Sequence, residues 1–334
     1  MYKGYLFKKM YNFCTLFDSN YAAQGLTMYY SLKKHCPDFH LYIFAFDDTL
    51  MNILNKMKLE HVTAISLKEF EDEELLRVKP TRTKGEYCWT CSSSTILYCL
   101  KKYSLNHCTY IDSDIYFFSN PASLIDEMGT NDVSLSPHRY TDCYDQTELS
   151  GIYCVQFMTF RNTENGLNIL NWWRNACIEW CYSKPEDGKF GDQKYLDDWP
   201  TRFKGIHILE NLGGGIAPWN MQQYAFIKTS KGIIGTETSS GKKFDIVFFH
   251  FHALKCNQCR NIKEFVYTDY ELPQTAKKHI YKTYLPHLIH IYRQIRKIDK
   301  SILPFRTKNV YYKSWLFIIG KRIINGNTNY YYWI

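Results

Sequence analysis

Two aspartates one residue apart, Asp112 and Asp114, have the residue type and spacing to bind a cation. They lie in the run Tyr110–Phe118, where strand-forming apolar residues flank them on both sides. Two like charges beside a core cost free energy unless a cation compensates them. Carboxylate oxygens are preferred ligands of hard divalent cations, which in turn neutralise a diphosphate. The pair therefore predicts a metal site rather than a surface turn.

A second candidate group is the pair His250 and His252. Two residues apart on a strand, their side chains point to the same face, so either imidazole could be a metal ligand. The neighbouring Phe248, Phe249 and Phe251 mark the strand as buried, which disfavours a pair of solvent-facing histidines.

Alternating strand and helix patterns position these residues. Strands are predicted at Tyr11–Phe17, Phe39–Phe46, His61–Ser66, Cys108–Ile111, Ile152–Phe160 and Phe244–Phe251. Helices are predicted at Tyr21–Lys34, Thr49–Lys58, Trp89–Lys102 and Glu164–Cys181. The order predicts a doubly wound sheet, and ligands of such sheets bind beyond the carboxyl ends of the strands, where Asp112 follows Ile111.

Five segments in this order carry a resemblance to a known family. They are Phe13–Ala22, the Asp112–Asp114 strand, Gly191–Leu196, Ala217–Asn220 and His250–Lys255. Over about three quarters of the chain the sequence resembles the retaining glycogenin and lipooligosaccharide galactosyltransferase family of bacterial GT-A glycosyltransferases. The resemblance implies an α/β fold with a Rossmann-like nucleotide-sugar-binding sheet flanked by helices. We place this catalytic domain at residues 1–262 and a basic, aromatic-rich helical extension at residues 263–334.

The family pattern implies a metal-dependent hexosyltransferase-like enzyme. Asp112, Asp114 and His250 would hold Mn²⁺ or Mg²⁺. Lys255 would bring its positive charge next to the donor diphosphate. The donor would be a nucleotide sugar, with UDP the favoured nucleotide, and transfer would retain the anomeric configuration. The acceptor would be a glycan or glycolipid of cell-surface polysaccharide or lipopolysaccharide biosynthesis. Further donor contacts would come from Thr15, Leu16, Phe17, Asp18, Tyr21 and Ser113.

Asp192 and Gln193 are the catalytic candidates, because in the resembling family this pair lies beneath the donor sugar. A helix beginning after Gly191 would also explain Asp192 as an N-cap worth about 1 kcal/mol. No capping role explains Gln193, whose carbonyl oxygen could stabilise an oxocarbenium-like transition state. No residue is assigned as a covalent nucleophile.

The sequence departs from the family at two places. Tyr153–Phe157 occupies a strand where relatives carry Asn and Gly, and Gln156 within this strand could bind a sugar hydroxyl. The helix before Asp112 lacks the family's arginine; Arg82, Lys84 or Glu86 could substitute, and the residues alone do not decide among them.

The loop after Gly213–Gly215 supplies the acceptor candidates. Trp219 could stack on an acceptor sugar, with Asn220 and His252 beside it. A flexible turn is the simpler explanation of a glycine run.

The C-terminal segment 273–334 is strongly basic. It holds twelve Lys and Arg against Asp299 alone, a net +11, so the preceding residues sum to −3 within a total of +8. Such asymmetry favours an anionic partner. The apolar run Trp315–Ile319 between cations favours peripheral binding to the inner membrane surface over nucleic acid. A merely solvated basic face that packs on the body is the alternative.

Composition predicts a cytoplasmic location. Twelve cysteines within apolar segments suit reduced thiols, and neither a signal peptide nor a spanning run of ~20 apolar residues is visible. Cys88/Cys91 and Cys256/Cys259 have zinc-ligand spacing, but buried cysteines are ordinary at the start of an apolar helix.

Two other functions compete with glycosyl transfer. A nucleotidyltransferase also uses paired aspartates and a divalent cation, but Phe17–Asn20 is not a glycine-rich phosphate loop. A non-catalytic membrane or nucleic-acid binder would explain residues 273–334 but not the acidic pair or Asp192 and Gln193.

Overall fold

The computed structural model describes residues 9–259, 262–267, 270–302, 306–307, 316–317, 319–321 and 330–333. Its strands, in chain order, are β1 Tyr11–Phe17, β2 Phe39–Ala45, β3 Val62–Ser66, β4 His107–Ile111, β5 Ile115–Phe117, β6 Val133–Pro137, β7 Tyr153–Arg161, β8 Ile206–Ile208, β9 Tyr224–Lys228, β10 Ile233–Glu237, β11 Lys243–Asp245, β12 Phe248–His250, β13 Lys255–Cys259, β14 Ile262–Val266, β15 Arg306–Thr307 and β16 Tyr330–Trp333. The α-helices are α1 Ala22–His35, α2 Asp48–Met57, α3 Leu67–Phe70, α4 Glu73–Val78, α5 Lys84–Lys102, α6 Ala122–Glu127, α7 Thr147–Ser150, α8 Glu164–Glu179, α9 Trp199–Arg202, α10 Gln274–Ala276 and α11 Lys282–Ile298.

A mixed seven-stranded sheet forms the centre, in the order β3-β2-β1-β4-β7-β6-β8. The first four strands are parallel, and β7 lies antiparallel to both β4 and β6. The strands β1, β2 and β4 are almost wholly buried. Their sequences are continuously apolar, which is typical of a sheet that is covered on both faces. The predicted α/β architecture is confirmed.

The strand predicted at Phe244–Phe251 is wrong as a single element. β11 pairs with β10 in a three-stranded sheet, whereas β12 pairs with β5. The chain leaves the ladder at Ile246 and Val247, both of which are buried. A continuous apolar run therefore conceals a change of sheet.

Helix α5 begins five residues before the predicted start at Trp89. Thr83 accepts a hydrogen bond from the Glu86 N–H, and the Glu86 carboxylate accepts one from the Thr83 N–H, which forms a capping box. This reciprocal bonding satisfies two backbone donors at the helix start. The helix N-terminus consequently lies near the carboxyl ends of the strands, at the edge of the cleft described below.

Helix α11 packs its apolar face against the body of the molecule. Tyr284, Leu288, Ile291 and Ile295 are buried and belong to the same hydrophobic core as β1 and α1. Pro286 lies inside this helix, which continues through the proline from Lys282 to Ile298. A widened π-helical turn at Lys277–Tyr281 precedes it.

The C-terminal predictions are covered only in part. Of the apolar run at 315–319, Leu316 and Phe317 are exposed, and Trp315 and Ile318 lie outside the described residues. The β13–β14 hairpin lies across the predicted boundary at 262, which stays a prediction. No helix in the described ranges combines the length and apolar character that a membrane crossing needs.

Candidate active site

The acidic pair lies beside a histidine at the point where β4 and β12 end and β5 begins. Asp112, Ser113 and Asp114 connect β4 to β5, and the antiparallel pairing of β5 with β12 places Ile115 opposite His250. The His250 Nε2 lies 3.1 Å from Asp114 Oδ1 and 3.8 Å from Asp112 Oδ2. The Phe251 N–H also donates to the Asp114 carbonyl at 2.9 Å, which fixes the two segments to each other.

These three side chains have the chemistry of a divalent-cation site. One ligand atom from each lies within 4.8 Å of the others. Two carboxylate oxygens and one imidazole nitrogen suit Mn²⁺ or Mg²⁺ better than a soft metal. The other such group among the described residues consists of the thiols of Cys14, Cys99 and Cys108, which are wholly buried in the core.

Burial sets the electrostatics of the group. It raises the pKa of Asp112 to about 6, with the charge of Asp114 adding to the rise and His250 opposing it. Burial would also raise the pKa of Asp114, but His250 outweighs it and the pKa falls below the usual value. Burial would lower the pKa of His250, yet the two aspartates hold that pKa well above its usual range. The two carboxylates thus favour a positive charge beside them, as expected of a cation site.

A cleft of about 590 Å³ opens above this group. That volume lies within the usual range of ligand sites. The sequence-predicted residues that line it are Leu16, Phe17, Asp18, Tyr21, Asp112, Ser113, Asp114, Asp192, Gln193, Trp219, His250 and His252. The cleft thus brings together residues from the first strand, the acidic pair and the chain beyond residue 190.

Asp192 and Gln193 do not open an α-helix as predicted. They lie in a turn before a short 3-10 helix at Lys194–Leu196. Burial raises the pKa of Asp192 to about 7, against a hydrogen bond from Ser92 and together with the charge of Asp112. Gln193 does have a structural contact, since its Nε2 donates to the Ser150 carbonyl at 2.8 Å. The amide oxygen and the second N–H of Nε2 are left for a ligand in the cleft.

Four predicted contacts lie outside the cleft. Thr15 is wholly buried, and Lys255 is exposed on β13 without lining the cavity. Asn220 is also wholly buried, and its Nδ2 donates to the His138 and Gly215 carbonyls while its Oδ1 accepts from Ala217 N–H. Asn220 therefore holds the loop to itself and to His138. Gln156 is buried beneath the cleft, where it contacts His250.

Trp219 and His252 both line the cleft, but Trp219 is more deeply buried than a ring that stacks on an acceptor sugar would be. Trp219 is only 5% exposed, and its Nε1 donates to the His138 carbonyl. Its ring packs edge-on against His250 and His252, each with ring centroids 5.5 Å apart. Trp219 thus supports the histidines, and His252 lies just beyond the end of β12, exposed at the mouth of the cleft.

Lys84 is the residue among Arg82, Lys84 and Glu86 that lines the cleft. Of the described residues that line the cleft, it is the only Lys or Arg. Arg82 instead donates to the Ile178 carbonyl and lies 3.9 Å over the Tyr182 ring, and Glu86 is used in the capping box. Lys84 is the first residue of α5, so its charge adds to the positive end of the helix. The capping-box signature Thr83-x-x-Glu86 is a sequence signal that places Lys84 at the start of α5.

Several lining residues were missed by sequence reasoning. His138 is buried with its pKa lowered to about 3 by burial, and its ring stacks on Tyr140 at 4.6 Å between centroids. Trp89 and Phe190 form another wall with centroids 6.4 Å apart. The remaining residues of this kind are Gly85, Cys88, Ser92, Tyr110, Gln146, Leu149, Ser150, Cys154, Val155, Gly191 and Tyr270. Except for Cys88, Tyr110 and Gly191, which lie in sequence motifs, these residues carry no local signal, because they converge only through the sheet order.

Comparison with known proteins identifies the fold. No protein-family model matches the chain. The apo-form glycosyltransferase GlyE of Streptococcus pneumoniae TIGR4 superposes with a TM-score of 0.50 at 12% identity, over 88% of this chain and 64% of GlyE. The galactosyltransferase LgtC, solved with donor and acceptor sugar analogs, has a TM-score of 0.48 at 12% identity over 92% of this chain and 99% of LgtC.

The chain has the GT-A glycosyltransferase fold. In sequence it is 30% identical over 302 residues to YfnD of Bacillus subtilis (strain 168), covering 88% of this chain and 93% of YfnD. YfnF of the same organism is 28% identical over 305 residues, 89% of this chain and 98% of YfnF. Both relatives are described as uncharacterized proteins. The chain belongs to the family of YfnD.

Proposed function

We propose that this protein is a metal-dependent glycosyltransferase that transfers a sugar from a nucleotide-sugar donor to a glycan or glycolipid acceptor. The observation that carries the proposal is the convergence of Asp112, Asp114 and His250 on the floor of the 590 Å³ cleft. These residues would hold Mn²⁺ or Mg²⁺. Such a cation would neutralise the diphosphate of the donor as it leaves. The GT-A fold supports the same function.

Different residues of the cleft would bind different parts of the donor. Leu16, Asp18 and Tyr21, at the end of β1 and the start of α1, would bind the nucleoside. Lys84 and the N-terminus of α5 would contact the phosphates, because backbone N–H groups and a positive side chain both favour an anion there. Lys255, although predicted for this role, lies outside the cavity.

Asp192 and Gln193 would flank the transferred sugar. The Ser150 carbonyl holds Gln193 by its amide nitrogen, which leaves the amide oxygen to stabilise positive charge at the anomeric carbon. A donor with UDP and transfer with retention are the expectations that the family resemblance adds. His252 and the exposed Leu149 at the rim would meet the acceptor.

A membrane-bound acceptor suits the outer surface of α11. Its apolar face is used in the core, but Lys282, Arg293 and Lys297 are exposed, and so are Leu316 and Phe317 further on. Cations and aromatic residues together favour an anionic lipid surface. Peripheral binding at the cytoplasmic face would present the cleft to a lipid-linked precursor of a cell-surface glycan.

The test is a panel of UDP- and GDP-sugars incubated with the protein and Mn²⁺, scored by nucleotide release. We expect release from at least one donor, and its loss in EDTA and in Asp112→Asn. Release of pyrophosphate from nucleoside triphosphates would instead indicate a nucleotidyltransferase. No release from any donor, by protein that binds Mn²⁺ and is folded, would contradict glycosyl transfer.

A further inference from the structure

We propose that Gln156 is a positioning residue that holds His250 in the orientation and tautomer needed to bind a divalent cation. The inference rests on the proposed function, since it concerns the same cation site. It assigns to Gln156 a role that differs from the donor contact predicted by the sequence.

The contact between the two side chains determines which imidazole nitrogen is free. Gln156 Oε1 lies 2.8 Å from His250 Nδ1, and both residues are buried. An amide oxygen only accepts hydrogen bonds, so the hydrogen is on Nδ1. Nε2 is then the nitrogen that faces Asp114 at 3.1 Å and Asp112 at 3.8 Å. Metal-binding histidines commonly donate their other ring N–H to a carbonyl or carboxylate oxygen in this way.

Gln156 also holds the opposite side of the site through its backbone. The Asp112 N–H donates to the Gln156 carbonyl at 3.0 Å, at the point where β4 gives way to the acidic pair. One residue of β7 therefore fixes Asp112 by its main chain and His250 by its side chain. These two ligands come from segments that are far apart in the sequence, and no covalent link sets their separation.

The cost of placing Gln156 here indicates a function beyond packing. Its Nε2 is buried and has no hydrogen-bond partner among the residues that the structure describes, and such a donor costs about 1–3 kcal/mol. An apolar side chain of similar size would avoid this cost. A Cβ at Gly215 would lie only 3.2 Å from this Nε2, so the absence of a side chain there leaves room for the amide. The backbone of Gly215, with φ +101°, also favours glycine. The glycine-rich loop thus accommodates Gln156 as well as forming a turn.

Mn²⁺ binding without any donor sugar tests the proposal. Gln156→Met keeps the side-chain length but removes the acceptor, and Gln156→Glu keeps an acceptor for Nδ1–H. Thr159→Val is the matched control, because Thr159 lies on β7 too and loses one buried hydrogen bond, to Thr109 at 2.8 Å. Free Mn²⁺ would be measured by electron paramagnetic resonance, and folding by melting temperature.

We expect Gln156→Met to weaken Mn²⁺ binding by roughly tenfold to a hundredfold, as is usual when a partner of a metal-binding histidine is lost. Gln156→Glu and Thr159→Val should bind like the wild type. Should Gln156→Met not fold, Gln156→Leu replaces it.

Two results would overturn the inference. One is an unchanged Mn²⁺ affinity in the apolar Gln156 variant, and the other is an equal loss in Thr159→Val. His250→Ala separates this failure from that of the proposed function. If His250→Ala loses Mn²⁺ while Gln156→Met keeps it, only the positioning role fails. If His250→Ala also binds normally, the cation site itself is wrong.

Discussion

Lys84→Ala is expected to weaken donor binding, because Lys84 is the cationic side chain at the edge of the cleft. A hydrogen bond to a charged group contributes about 1.5–3 kcal/mol, and solvent screening of an exposed lysine favours the lower end. A loss of about 1.5 kcal/mol corresponds to roughly tenfold in Kd. The backbone N–H groups at the start of α5 remain in the variant, so binding should weaken rather than vanish.

The assay is titration calorimetry of UDP with saturating Mn²⁺, followed by donor KM in the nucleotide-release assay. Lys102→Ala is the matched control, since Lys102 is an exposed lysine at the other end of the same helix. Lys255→Ala tests the role that the sequence predicted for that residue, and its Kd should stay close to that of the wild type. A larger effect of Lys255→Ala than of Lys84→Ala would refute the reasoning from the cleft.

Three further predictions concern the acidic pair, the catalytic candidate and the basic surface. Asp114→Ala should abolish turnover while circular dichroism shows a folded chain, because it removes a cation ligand; full activity of the wild type in excess EDTA would contradict this. Gln193→Ala should lower kcat far more than it raises donor KM, as expected for a contact made in the transition state; an unchanged kcat would exclude Gln193 from catalysis. Reversing Arg293 and Lys297 to Glu should reduce flotation with anionic vesicles at low salt by more than about tenfold, since each surface cation contributes roughly 1 kcal/mol; equal flotation of both proteins would exclude this surface as the membrane contact.

The central sheet could be predicted because its strands carry their own signals. Tyr11–Phe17 has the predicted bounds, and β2, β3, β4 and β7 differ from prediction by one residue at either end or both. Runs this apolar are satisfied only when both faces of a sheet are covered. The short strands β8 to β10 carry weaker patterns, and no strand is predicted there.

The site could be predicted only where chemistry is local. Asp112 and Asp114 are separated by a single residue, so their type and spacing suffice. The partnership of Gln156 and His250 spans 94 positions and depends on how β7, β4, β5 and β12 pair, which no local pattern reveals. The burial of Asn220 could not be predicted for the same reason, since its hydrogen bonds to Gly215, Ala217 and His138 appear only in the fold.

The pairing of β5 with β12 has a consequence for how the chain folds. It joins residues 115–117 to residues 248–250, so the contact must close a loop of more than a hundred residues. Non-local pairing of this kind forms slowly and carries a large loop-closure entropy. During synthesis the two aspartates leave the ribosome long before His250, so the three ligands meet only after β12 has been made. A cation that needs all three would bind the finished fold and not its precursors, and would stabilise it by mass action. Mn²⁺ should therefore slow the unfolding of the folded protein. In refolding, it should leave the rates of the early phases unchanged.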